Sequence, residues 1–328
     1  MTDSSLTPPE RKSRNLLRKF FATVAGAAVL GFYWLAVADP VADPRGPDHA
    51  AAVRFRAVHL TADRGNEVAL LGAWSVKVDD RRWGGESALV LDGGRLLAQS
   101  DFGVLTSLPR PGQTGPAVVH SLDLVDGDPA AKRDRDSEAL VRDPDGRGWW
   151  VGFENRHAVA FYDRNWTQRW RLRLLKTGWS KNRGIEALLA EPGRLTAISE
   201  DATEVLTIVG SKVTRARLQG SGGYLISDST RLPDGRIVVI LRRLTPRGFD
   251  NALGWLVPDG AGWRVRRFAV LPGGPFDNYE GIAAEPLPQG AARLWLISDN
   301  DAFRWRRTLL IALRLAPAPE VRPRPTRR

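Results

Sequence analysis

A short unit recurs along this chain: an acid, a small residue, an apolar run, a Gly- or Pro-bearing turn, then a second apolar run with a polar end. It reads "ESALVLDGGRLLAQSD" from Glu86, "EALVRDPDGRGWWVGFE" from Glu138 and "EALLAEPGRLTAISE" from Glu186. Two further copies are "DSTRLPDGRIVVILR" from Asp228 and "EGIAAEPLPQGAARLWLISD" from Glu280. The runs are too short for stable helices, and "RLLAQSDF", "RLTAISED", "RIVVILRR" and "RLWLISDN" alternate as strands do. "LDGG", "DPDG", "EPG", "LPDG" and "PLPQG" provide the reversals. The copies start 52, 48, 42 and 52 residues apart, which is room for four strands and the period of propeller blades. The chain is therefore expected to be all-β. Adding strands from 53–78 and 304–314 predicts a β-propeller of six blades with the chain ends closing the ring. Five or seven blades, a two-sheet sandwich or two small β domains accommodate similar strand counts.

In a propeller, a residue repeated once per blade returns at one radius and height about the channel. Glu86, Glu138, Glu186 and Glu280 are thus expected to converge, with Asp228 the departure. The polar ends of the second runs, Asp101, Glu154, Glu200, Asp299 and Asp301, predict a second ring. Converging carboxylates repel one another, so such a site requires a cation or raised pKa values. Hard oxygen ligands suit calcium or magnesium, calcium first, with Asn155, Asn182, Asn278 and Asn300 adding neutral oxygens. The candidate metal ligands are Glu86, Glu138, Glu186, Glu280, Asp101, Glu154, Glu200 and Asp299. Glu186, Glu138 and Glu280 are also the candidate catalytic acids, and His157 is a candidate general acid or base. Arg183, Arg156 and Arg242, with Asn182 and Tyr279, form the candidate substrate-binding set, since guanidinium groups grip phosphate or carboxylate bidentately. The same acids read equally as turn caps or ion-pair partners, and His157 as a packed residue.

The net charge of +11 suggests nucleic acid only until it is located. Five basic residues against two acidic ones fall in 1–38, and five against one in the last fifteen, so the body holds little excess. Nucleic acid is not an expected partner. "RKSRNLLRK" precedes 20–38, an uncharged and mostly apolar run ending in Ala36-Val37-Ala38. A basic leader, an apolar core and a small-residue end describe a signal peptide, and nineteen residues also suffice for an uncleaved anchor. Either way the positive-inside bias puts the body across the membrane, in the periplasm or outside the cell. The expected organisation is 1–38 signal peptide or anchor, 39–52 linker, 53–315 propeller and 316–328 a Pro/Arg-rich tail. The absence of cysteine excludes thiolate metal sites, disulfides and cysteine nucleophiles. No nucleophile elbow, Walker loop, H-E-x-x-H or dinucleotide fingerprint occurs.

In "DSEALVRDPDGRGWWVGFENRHAVAFYD", "NRGIEALLAEPGRLTAISED", "DSTRLPDGRIVVILRR" and "DNYEGIAAEP…LWLISDND" the sequence resembles the phytase-like family called "esterase-like activity of phytase". The resemblance spans roughly 53–315 and implies a repeated β domain with recurring Glu and Asp, an exported protein and hydrolysis of esters or phosphoesters. The copy at Asp228 carries Arg242-Arg243 after "VVIL", where relatives tend to show Glu-Arg, so a role needing an acid there is in question. Two functions are therefore expected. One is an exported, metal-dependent hydrolase of a small anionic or ester substrate. The alternative is a non-catalytic cell-envelope propeller that binds a ligand or protein partner, its acids serving a structural cation or ion pairs.

Overall fold

The computed structural model describes residues 45–61, 67–124, 131–174, 184–301, 303 and 305–318. Every described strand belongs to one compact unit, which falls within Asp43–Arg328. The expected signal or anchor and most of the expected tail lie outside the described residues. Among the described residues, no helix is long and apolar enough to cross a membrane.

Strands formed by the repeats assemble into antiparallel four-stranded units. Blade 1 is β4 (Glu86–Asp92), β5 (Arg95–Ser100), β6 (Val104–Leu108) and β7 (Ala117–Ser121), edged by β1 (His49–Ala51). Blade 2 is β8 (Ser137–Arg142), β9 (Gly148–Phe153), β10 (Ala158–Asp163) and β11 (Gln168–Arg173), preceded by one helical turn, α1 (Lys132–Arg135). Blade 3 is β12 (Ile185–Glu191), β13 (Arg194–Ser199), β14 (Glu204–Val209) and β15 (Lys212–Gln219). Blade 4 is β16 (Leu225–Arg231), β17 (Ile237–Thr245), β18 (Gly248–Asp259) and β19 (Gly262–Val270). A short parallel pairing of β15 with β19 joins blades 3 and 4 at their outer edges.

Blade 5 closes the ring. It takes β20 (Asn278–Pro286), β21 (Ala292–Asp299) and β22 (Thr308–Leu315) from the C-terminal side, then β3 (Val68–Val78) and β2 (Val53–Ala57) from the N-terminal side. The inner strands β4, β8, β12, β16 and β20 pack in a closed circle, each against the next and β20 against β4. The protein is therefore a β-propeller with five blades, not the six expected. The terminal strands do not form a blade of their own, because β22 pairs with both β21 and β3 and so completes the fifth repeat. β1 also falls within the stretch expected to be linker.

Five apolar cores lie between successive blades, and side chains alternate between them with the period of the pleat. In β12, Ala187 and Leu189 pack toward blade 4, while Leu188 packs toward blade 2. A ring this small leaves little room at its axis. The axial positions one step into the inner strands are Ala88, Ala139, Ala187 and Gly281, all but Gly281 fully buried alanines, and Asp228. A Cβ on Gly281 would meet the Ala88 carbonyl carbon and the Leu89 nitrogen at 2.7 Å.

Asp228 uses its place at the axis as a staple. Its Oδ2 accepts from the Ile282 N–H at 2.8 Å and its Oδ1 from the Ser229 N–H at 2.7 Å, and the Leu89 N–H also reaches the carboxylate. One side chain thus ties β16 to β20 and β4. Burial pushes its pKa up, against these three donors. Asp228→Ala is expected to cost roughly 2–4 kcal/mol in denaturant titrations, because it orphans buried N–H groups. Asp228→Asn should cost nearly as much, since its amide NH2 turns a donor toward donors.

Candidate functional site

At one end of the ring each inner strand slips by one residue against its neighbour. The register shifts fall between Glu86 and Ala88, Ser137 and Ala139, Ile185 and Ala187, Ile226 and Asp228, and Tyr279 and Gly281. The extra residue of a bulge leaves the ladder and its side chain is re-aimed. Those residues are Ser87, Glu138, Glu186, Ser227 and Glu280, so the true repeat position holds three glutamates and two serines. Aligning the sequence on its acids placed Glu86 one residue early and Asp228 one residue late.

The second ring is set by the same register. The residues before the bulges pair with Ser100, Phe153, Ser199, Leu241 and Ser298. Directly after these come Asp101, Glu154, Glu200, Arg242 and Asp299. Blade 4 therefore presents a guanidinium where the other blades present an acid. Gly184 makes room for this layer, since a Cβ there would lie 2.4 Å from Cγ of Glu154.

Acids of neighbouring blades meet at the mouth in two groups. Carboxylate oxygens of Asp101, Asp136 and Glu138 lie within 4.8 Å of one another, as do those of Glu154, Glu186 and Glu200. Glu186 is only 6% exposed, and among the described residues no hydrogen-bond donor reaches it. Arg242 places a positive charge within the basin. Its Nη1 donates to Glu280 Oε1 and its Nη2 to Glu200 Oε1 at 3.3 Å, and Asn278 Nδ2 donates to the same Glu280 oxygen at 2.6 Å.

The electrostatics follow from crowding like charges where water is scarce. Burial pushes the Glu138 carboxyl well above the usual range, and Glu186, Asp101, Asp136 and Glu280 push it further. Glu186 is likewise raised by burial, opposed by Arg242 and reinforced by Glu200, Glu280 and Glu154. Asp299 is raised by burial and by Glu280 and Asp101. Arg242 loses to burial but gains more from Glu280, Glu186, Glu200 and Glu138, and stays fully charged. Oxygens sharing a calcium at about 2.3–2.6 Å are at most about 5 Å apart, so either group could hold a hard divalent cation.

Over residues 81–302 the sequence matches the phytase-like family described as esterase-like activity of phytase. The chain belongs to that family. No curated protein matches it significantly. Among solved structures, this phytase-like chain is similar to glutaminyl cyclase of Myxococcus xanthus at 15% identity and a TM-score of 0.45, covering 82% of this chain and 100% of that one. It is similar to an inactive virginiamycin B lyase of Staphylococcus aureus with quinupristin at 9% and 0.44, covering 80% and 100%. It is also similar to hydrazine synthase of Kuenenia stuttgartiensis at 13% and 0.37, covering 66% of this chain and spanning 56% of that one.

The phytase-like propeller gathers Glu138, Glu186, Glu280, Asp101, Glu154, Glu200, Asp299 and Arg242 at one mouth. Other expected residues lie elsewhere. Glu86 stands one residue before the bulge and is buried, and its Oε1 accepts from the Gly84 N–H at 3.3 Å. Burial, with Asp101 nearby, pushes its pKa up to about 8. Tyr279 precedes the bulge and faces the opposite way. It is fully buried in the blade 4–5 core with its hydroxyl donating to the Pro272 carbonyl at 2.6 Å, so it cannot touch a substrate. Arg156 pairs with Asp134. His157 sits in the turn after β9 with φ of 42°, and burial lowers its pKa, which leaves the ring neutral at pH 7. Asp301 pairs with Arg306. Asn182 and Arg183 lie outside the described residues.

Asp136 was missed by sequence reasoning. It stands two residues before Glu138 and accepts from Asn155 Nδ2. Its signal was a D-x-E spacing at the head of the repeat.

Proposed function

We propose that the chain is an exported hydrolase of esters or phosphoesters working with a divalent cation, calcium first, at the propeller mouth. The observation that carries this reading is the convergence of three bulge glutamates with the second-ring acids at one mouth, where Arg242 bonds both Glu280 and Glu200. Such a basin is stable with bound protons or with a bound cation. When bound, the cation would polarise the scissile group and lower the pKa of a coordinated water.

Glu154, Glu186 and Glu200 would hold it. Arg242 lies beside that group and orients an anionic substrate oxygen. Glu138, its carboxyl raised by burial and by its acidic neighbours, would protonate the departing alkoxide, and the proton given up by the attacking water would restore it. Water adds across the ester, so an acid and an alcohol are the products. The basic leader and the apolar run at 20–38 support a periplasmic or extracytoplasmic site of action. A non-catalytic envelope propeller is the second reading, favoured by the way Arg242 already bridges Glu200 and Glu280.

Metal analysis, followed by assays on p-nitrophenyl esters, phosphomonoesters and phosphodiesters with and without chelator, tests the proposal. Turnover is expected on one class and should disappear with chelator. Glu186→Gln keeps size and removes charge, and is expected to lose the metal and about 100-fold or more in kcat/KM, several kcal/mol of transition-state stabilisation. Metal bound without turnover on any class would favour the binding propeller.

A further inference from the structure

Among the described residues, the large exposed apolar side chains at the mouth lie on blades 4 and 5. β17 runs past Arg242 into a protruding hairpin with β18, and Leu244 on it is 72% exposed. Phe276 is 57% exposed and Trp305 53% exposed, both at this same end because they flank the start of β20 and the end of β21. Val270, at the mouth end of β19, is exposed as well. Large exposed apolar side chains scattered singly need no explanation, but a gathered set does.

The set is braced. Phe276 and Trp305 meet edge to face at 5.3 Å, and Phe303 stacks on Trp305 at 5.8 Å. The hairpin is fixed to it by the Phe249 N–H, which donates to the Pro275 carbonyl at 2.9 Å. The patch is also continuous with the acidic basin. Arg306 Nη2 donates to the Phe276 carbonyl at 2.6 Å and to the Asp299 carbonyl at 3.4 Å, so one guanidinium spans from the patch to a second-ring residue. Leu244 lies two positions beyond Arg242 on one strand, hence on the same face.

A group held by Arg242 and the basin therefore has an aromatic and aliphatic shelf beside it on blades 4 and 5. We propose that this shelf is the subsite for the apolar part of an amphiphilic substrate, an ester or phosphoester whose acyl or alcohol portion is a long alkyl or aryl group. The inference rests on the hydrolase reading and narrows its substrate class. The shelf orients the molecule, with the scissile group in the basin and the apolar portion across Phe276 and Trp305.

The unit Asp43–Arg328 carries all five inter-blade cores and closes its own ring, so it is the protein to test. It would be titrated calorimetrically with methyl-, butyl- and octylphosphonate in calcium, and assayed on p-nitrophenyl acetate, butyrate and octanoate. Affinity is expected to rise about two- to fourfold per methylene, and kcat/KM to rise along the ester series. The double variant Phe276→Ser with Trp305→Ser, checked for an unaltered unfolding midpoint, should lose that gain. Trp305→Phe should keep most of it. Turnover and methylphosphonate binding with no dependence on chain length would overturn the subsite while leaving the hydrolase reading in place. Absence of turnover and of phosphonate binding throughout would overturn both. Binding to phospholipid vesicles that needs Phe276 and Trp305, with no gain along the soluble series, would assign the shelf to a bilayer instead and overturn the proposal.

Discussion

Without a divalent cation, the protein is expected to lose stability steadily as pH rises from about 5 to 9, and calcium is expected to stabilise it more at pH 8 than at pH 5. The sign comes from the raised carboxyls. Glu86, Glu138, Glu186 and Asp299 hold protons in the folded state at pH values where the unfolded chain has released them. A raised folded pKa contributes stability that is complete below the unfolded value near 4.5 and is lost as pH climbs through the folded one. For Glu86 alone the displacement from 4.5 to about 8 corresponds to roughly 4–5 kcal/mol between the two ends of that window. Calcium competes with protons for the groups at Glu138 and Glu186, so its contribution grows as those protons leave. Urea titrations at pH 5, 7 and 8.5, with chelator or calcium, give the curves directly. Glu86→Gln separates the contributions. It should flatten the chelator curve while leaving the calcium increment intact, because Glu86 lies outside both groups. Flat stability in chelator would mean that the basin is solvated, and would remove the reason for a cation.

The sequence made the repeat legible because a propeller blade is a local object. Turn, strand and polar end all fall within one copy, and "RLTAISED" folds as β13 followed by Glu200, as its alternation predicts. The second ring was found for the same reason, since its acids terminate runs that can be seen. The blade count was less accessible, because β2 and β3 belong to the sheet of β20 to β22 only through pairing across most of the chain. The bulge was invisible. An extra residue in a strand leaves no mark in composition, yet it moves the repeat position by one and decides which side chains enter the mouth. Ser87 and Ser227 therefore occupy the glutamate position in blades 1 and 4, while the neighbouring acids Glu86 and Asp228 are buried and used differently. Tyr279 stands beside Glu280 but faces away from the mouth, since one residue along a strand is the other face of the sheet.

Replacing Arg242 by Gln is expected to destabilise the cation-free protein by about 3–5 kcal/mol at pH 8, the usual cost of removing one partner from a buried charge network. Arg242 is a fixed counter-charge within the basin. It bonds Glu280 and Glu200 and its field holds down the pKa of Glu186. Two conditions should relieve the loss. At pH 5 the raised carboxyls Glu186 and Glu138 hold protons and no longer need the guanidinium, so the cost should be smaller there than at pH 8. At pH 8, calcium should restore part of the loss, because a divalent ion among Glu154, Glu186 and Glu200 neutralises the same field. Arg242→Lys should fall between wild type and Gln, since a point charge keeps the Coulomb attraction but cannot bond two carboxylates at once. If the cost is independent of both pH and calcium, Arg242 acts through packing in blade 4, and the departure of that blade from the acidic pattern is structural. A cost that calcium relieves would mean that one site uses two cations, one built into blade 4 and one recruited. The strength of metal binding would then depend on the residue at position 242.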